Sequence, residues 1–359
     1  MAGNKRTFWA CEGLGTADHG AGGNGAGGTG VPSDYTFVPG VQSVGMSTNF
    51  NLEQIFQLGQ LQIYQDLEEI PDIELTVERV MDQFALLYNR CMNHPVAGAT
   101  VTIVGDQDNR VDVGFVVGDS RVENIGDAAV APLPAGGGFA FAYMSGMFVS
   151  SVNFNFDTDG YFTESVTLVG NHKKWATPAA ADFMTGAPDD ANYTGNVAKR
   201  QKFMMVEQPD SLTGGPDSPA LADVAISNVS ISCDFGREEM NVLGKRQPYH
   251  RFVTFPVEVT CDIEMYVTDV ANMHVDASPE SNNTQEDGIL IKVSDLAVQD
   301  LENAAGGGGI LHTFELGEKN RLQSVTWNGI DTGGTNATIT YSYRNFNKLE
   351  VGTPAAWVL

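Results

Sequence analysis

The chain of 359 residues carries 45 acidic against 20 basic residues, a formal charge of −25. That balance argues against a protein held on nucleic acid by phosphate contacts, which needs a basic footprint, but it allows a surface past which DNA slides without sticking. The length accommodates two domains of roughly 130 to 150 residues; no apolar run approaches the ~20 residues of a membrane span, and MAGNKRTFWACEGLG lacks the apolar stretch of a signal peptide.

Residues 1–40 read as an N-terminal arm. Its glycine tract, Gly20 to Gly30, is expected to order only on assembly, with Phe8 and Trp9 anchored in a neighbour. The GxGxxG match at Gly20 to Gly25 has no strand before it and no helix after it, so it is not read as a dinucleotide site. Val44, Met46, Thr48 and Phe50 alternate as in a strand with one buried face. The segment to Tyr64 predicts a long hairpin or protruding loop around Leu58-Gly59. Ile73, Leu75 and Val77 alternate with Glu74, Thr76 and Glu78, giving a long strand with an apolar and an acidic face.

Val80, Phe84, Leu87 and Cys91 follow helical spacing and predict a short helix over 79–93, ended by Pro95. Cys91-x-x-His94 is half a metal site without the other half, and reads as core filling. ATVTIVG, VDVGFVVG and GFAFAYMS predict strands between 100 and 148. Residues 150–175 predict a strand pair around the turn Asp157-Thr158-Asp159-Gly160. Residues 176–224, rich in Pro, Gly, Ala and Asp, read as a linker or insertion.

The second half echoes the first. With a constant offset of 185 (229 − 44), Val44 meets Val229, Ser47 meets Ser232, Phe50 meets Phe235, Leu58-Gly59 meets Leu243-Gly244, and Pro71 meets Pro256. After the prolines the register slips by one, so that Glu74 and Thr76 meet Glu258 and Thr260. The strand pair of 150–175 returns at Gln323 to Leu349 around Asp331-Thr332-Gly333-Gly334. The chain therefore reads as a tandem duplication: an arm (1–40), a first domain (41–175), a linker (176–224) and a second domain (225–359).

The strings NFNLEQIFQLGQLQIY, PDIELTVERV and SSVNFNFDTDGYFTESVTLVGN resemble tail tube proteins of tailed bacteriophages. The resemblance implies a mainly β fold: two tandem β-sandwich or barrel domains, each with a short helix, closing into a ring-shaped oligomer. It implies a structural virion protein of the phage tail, assembled in the host cytoplasm, whose stacked rings form the channel for DNA delivery. Expected partners are further copies of the chain and other tail proteins (a sheath if the tail contracts, a terminator, a baseplate). DNA passes without specific binding. A duplicated chain implies a homotrimer with pseudo-sixfold symmetry, with a homohexamer as the rival. Alternative readings are a tail-tip or baseplate hub, another tail-associated protein, or a β-rich carbohydrate-binding protein.

The acidic strand faces nominate Glu74, Glu78, Glu258, Asp262 and Glu264 as channel-facing, because a like-charged wall repels phosphate. The basic LGKRQPYHR nominates Lys245, Arg246 and Arg251 as inter-subunit contacts to an acidic neighbour. GxSxG, HExxH and a Walker loop do not occur, and the six histidines are dispersed. No catalytic, cofactor or metal residues are nominated, and Cys233 and Cys261 read as small core hydrophobes.

Overall fold

A computed structural model describes residues 12–19, 35–92, 100–118, 139–176, 198–200, 204–208, 225–244, 248–267, 288–294, 310–329 and 336–352. The chain is mainly β. Its first half gives β1 (Glu12–Asp18), β2 (Thr36–Phe37), β3 (Val41–Asn49), β4 (Leu52–Phe56), β5 (Ile63–Glu68), β6 (Asp72–Val80), α1 (Leu87–Met92), β7 (Thr100–Thr102), α2 (Ile103–Asp106), β8 (Val111–Gly118), β9 (Phe139–Asp157), β10 (Thr163–Gly170) and β11 (Lys173–Ala176). The second half gives β12 (Met204–Gln208), β13 (Ile226–Asp234), β14 (Glu238–Met240), β15 (His250–Phe252), β16 (Glu258–Tyr266), β17 (Leu290–Ser294), β18 (Ile310–Glu315), β19 (Arg321–Asn328), β20 (Thr338–Phe346) and β21 (Glu350–Gly352).

Period-two alternation builds the principal sheet. Ile73, Leu75 and Val77 on β6, Val229, Ile231 and Cys233 on β13, Val259, Cys261 and Ile263 on β16, and Ile339, Tyr341 and Tyr343 on β20 are buried, with polar residues between them. Eight antiparallel strands run in the order β3-β6-β10-β9-β13-β16-β20-β19. The order of the first four, all from the first half, is repeated by the second four. Register repeats as well. Thr163 lies opposite Val80 and Asn155, and Thr338 lies opposite Tyr266 and Asn328. Bulged residues fall at Gln42 and Ser227, and again at Ser150 and Gln323, at matching places in the two halves. A bulge sharpens local twist and bend, so both halves bend at corresponding points.

A second layer covers the apolar face. β1, β8, the leading part of β9 and β11 are neighbours in that order; β12, β17, β18 and β21 repeat it, and β7 is added outside β21. β9 serves both layers because it turns at Gly146, whose φ of +69° suits glycine. Phe314 on β18 packs edge-on against Phe154 and Phe156 of β9, with centroids 4.9 and 5.2 Å apart. Asn89 Nδ2 donates to the Val351 carbonyl at 3.0 Å. One core cluster therefore runs from Leu14 to Val351. The two expected domains share one sheet and one core, and among the described residues no barrel closes within the chain.

Several local expectations change. Part of the arm is structural: β1 pairs with β8 and buries Leu14 and Ala17, while Tyr35 and Val38 are fully buried. Phe8, Trp9 and the Gly20–Gly30 tract lie outside the described residues. The helix expected over 79–93 is only α1, because β6 continues to Val80: Arg79 completes the inward alternation of Ile73, Leu75 and Val77, and Val80 is buried at the strand's end. ATVTIVG is not one strand. Thr102 Oγ1 accepts from Gly105 N at 3.1 Å, capping α2 and ending β7. The two strands expected around 139–157 are the single β9. Within the expected linker, β12 pairs with β17, and Lys199 N donates to the Met81 carbonyl.

Candidate assembly interface

The polar face of the principal sheet is the first surface to consider. Glu74 and Glu78 on β6, and Glu258, Asp262 and Glu264 on β16, alternate with buried neighbours. All five therefore project from the face opposite the core. Between them lie short polar side chains in cross-strand pairs: Thr76 with Thr167 at 3.4 Å, Ser232 with Thr260 at 2.6 Å, and Ser43 donating to Glu78 at 3.2 Å. Asn153, Asn155 and Asp157 of β9 continue the same face. Arg344 and Arg321, opposite each other in register, bring positive charge to one end of it.

The second surface is the pair of sheet edges. Among the described residues β3 bonds to β6 alone and β19 to β20 alone, at opposite ends of the eight strands. An edge strand presents a row of backbone donors and acceptors to a further strand. On β19, Trp327 is 46% exposed, whereas Phe154, at the same register position in β9, is fully buried.

The third surface is made by two hairpins. β4 and β5 form one whose tip, Leu58 and Leu61, is wholly exposed, with Phe56 and Tyr64 also open. β14 and β15 form the other, and it is seated on the end of the first half. Arg251 Nη2 binds Asp72 at 2.6 Å and also Glu239, and its Nε donates to Asn171 Oδ1 at 3.2 Å. The guanidinium of Arg237 lies 4.9 Å from the Phe148 ring centroid, and its Nη2 donates to the Gln107 carbonyl at 2.8 Å. His250 accepts from Arg110 at Nδ1 (2.8 Å), which leaves its Nε2–H to donate to Asp108 (3.2 Å). Burial alone would raise the Asp72 pKa, but hydrogen bonds from Asn51 and Arg251 outweigh it and hold the carboxyl below its ordinary value. Burial also brings Arg237 down to about 10.

A cleft of about 180 Å³ remains beside this seat, lined by His19, Arg110, Phe148, His172, Tyr249 and His250 among others. Burial depresses the His172 pKa. Among the described residues no group of three or more His, Cys, Asp or Glu could hold a metal ion. Cys91, Cys233 and Cys261 are free buried thiols whose pKa values burial pushes up.

Of the nominated contact residues, Lys245 and Arg246 lie outside the described residues. Arg251 joins the second half to the first within one chain, so it is not an exposed inter-subunit cation. The sequence reading missed Arg237, and it missed a buried polar network. In that network Arg79 donates to Glu164 (3.0 Å), Asp82 (2.7 Å) and the carbonyls of Pro39 and Ala85 (2.7 and 2.6 Å). Its signal was present in TVERV and TESV, where Arg79 and Glu164 fall on the inward parity of their strands. No protein-family model and no curated protein sequence matches the chain.

Proposed function

We propose that the chain is a structural subunit of a bacteriophage tail tube, self-assembling into rings that stack around a channel for DNA. The observation that carries this reading is the repeated strand order with open edges at its two ends. A sheet in which one half follows the other head to tail, leaving β3 and β19 unmatched among the described residues, has a heterologous interface that closes by adding copies. The sequence resemblance supplies the tail context, and the two halves are read as duplicated tube domains.

In this reading the polar face lines the channel. Glu74, Glu78, Glu258, Asp262 and Glu264 then give a wall that repels phosphate, with Ser, Thr and Asn residues between them and the cations Arg321 and Arg344 confined to one end, where Arg344 is met by Glu258. Three chains supply six repeats, giving exact threefold and approximate sixfold symmetry. The rival is a six-chain ring in which the second repeat lies outside. Sheath, terminator and baseplate proteins are the further partners.

Negative-stain microscopy and native mass spectrometry of the purified chain test this. Rings or tubes built from units of three times the 38.5 kDa chain mass are expected. Six chains per layer would replace the trimer, and a chain that stays monomeric at every concentration would end the reading.

A further inference from the structure

The junction inside the chain is a template for the junction between chains. β9 meets β13 in a register that sets Asn153 opposite Ser232, Phe154 opposite Ile231 and Val152 opposite Cys233. Matching registers carry β13 onto β3 and the second part of β9 onto β19, bulge for bulge. We infer that β19 of one copy pairs antiparallel with β3 of the next, setting Thr326 opposite Ser47, Trp327 opposite Met46 and Val325 opposite Thr48, and that the β4–β5 hairpin of that next copy seats on the end of the first copy's second half with the charges exchanged. The inference rests on the tube reading and assigns the contact residues of its ring interface.

Both edges look like halves of an unfinished junction. Val44, Met46 and Thr48 are half-buried while Ser43, Gly45 and Ser47 are exposed, which is the alternation of β13 before it is covered. Val325 and Trp327 are 37% and 46% exposed where Val152 and Phe154 are buried. The two edges do not satisfy each other within the chain: among the described residues the eight-stranded sheet stays open, with seven strand spacings, roughly 33 Å along the sheet, between β3 and β19. A second copy is the occupant whose edge already matches, since the chain makes this pairing once internally.

The seat shows a change of sides. In the internal junction the hairpin brings Arg237 and Arg251, and the seat offers Phe148 and Asp72. The offset of the repeat puts Leu52 in the place of Arg237 and Asp66 in the place of Arg251, and strand register puts Arg321 in the place of Phe148. The turn into each hairpin is the same, since Asn51 and Gly236 hold matching positions with φ of +42° and +51°. The cation has therefore moved from the hairpin to the seat, and the apolar group from the seat to the hairpin. Glu258 replaces Asp72 but is met by Arg344 at 3.7 Å, beside the half-exposed Phe346 ring. An acidic β4–β5 hairpin on the Asp72 seat would oppose Asp66 to Asp72. Each hairpin thus fits one seat and is repelled by the other.

Paired cysteines in the full-length chain test the register. Directly opposed residues stand about 4.5–5.5 Å apart and can be bridged. The chain carrying both Ser47→Cys and Thr326→Cys should form interchain disulfides on mild oxidation of assembled rings. The chain with Ser43→Cys and Thr326→Cys, four residues out of register and roughly 13 Å apart, should not. Asp66→Lys should weaken assembly tenfold or more, and adding Arg321→Asp should restore it, while thermal melts of these surface variants stay close to the parent. Rings whose 47 and 326 cysteines remain free, or whose assembly ignores Asp66→Lys, overturn the inference and leave the tube reading standing. A parent chain that forms no rings overturns both.

Discussion

Among the described residues Arg79 is the largest side chain sealed from solvent, and it holds together elements far apart in sequence. Its guanidinium ties β6 to Glu164 on β10, to Asp82, to the Pro39 carbonyl before β3 and to the Ala85 carbonyl before α1. Glu164 in turn accepts from Leu87 N at the start of α1; burial raises its pKa, partly offset by Arg79 and the helix amides. Arg79→Ala leaves two carboxylates without their counter-ion and should cost about 3–5 kcal/mol in urea denaturation. His312 joins the same cluster by donating from Nε2 to the Asp82 carbonyl at 2.8 Å. Burial, reinforced by Arg79 and Lys199, brings its pKa from 6.5 down to about 4. Between those two values the unfolded chain binds a proton that the folded chain refuses. The His312 contribution to stability is therefore full above pH 6.5 and is lost as pH falls toward 4, by up to about 3 kcal/mol. His312→Gln keeps a donor and removes the titration, so thermal unfolding across that window should become flatter than in the parent. The inward parity of Arg79 and Glu164 was legible in the sequence. Their meeting was not, because it depends on the pairing of strands 85 residues apart.

At the scale of elements, equivalent positions have unequal surroundings. Phe154 and Trp327 occupy the same place in β9 and β19, but β13 covers only the first. Phe154→Ala should cost about 3–5 kcal/mol, as for a buried aromatic, whereas Trp327→Ala in the unassembled chain should cost about 1 kcal/mol. Equilibrium denaturation of the two variants measures the difference directly. Strands with strict alternation, such as those of Ile73 to Val77 and Val229 to Phe235, were legible from period alone. Elements whose partner lies elsewhere were not. β1 sits in a glycine-rich neighbourhood that reads as loose chain, yet β8 gives each of its residues a partner. The spacing of Val80, Phe84, Leu87 and Cys91 suits a helix, but all four are buried for different reasons, the first as part of a strand.

The whole molecule is interlocked more deeply than two joined domains need be. β7 and Asn89 from the first half complete the sheet around β21, and Phe314 from the second half covers β9. Either half produced alone should therefore lack a cooperative thermal transition, and mixing the halves should restore one, as calorimetry would show. The constant offset of 185 made the repeat legible in the sequence. It could not reveal that the second hairpin lies on the first half, because Arg251 and Asp72 are brought together only by the β9–β13 register. Of the candidate assembly surface, the acidic alternation was readable in advance. The seat was not.

The head-to-tail order of the two repeats also constrains counting. In the proposed ring of three chains each polypeptide delivers its repeats in pairs, so a closed layer built from both repeats contains an even number of them, and the basic and acidic hairpins alternate around it by covalent necessity. A layer of five or seven repeats, the nearest errors for the proposed ring of six, could not be assembled from intact chains that place both repeats in it. A single-repeat subunit would have to exclude those errors by curvature alone. In the proposed ring the peptide chain does part of the proofreading, before any two molecules have met.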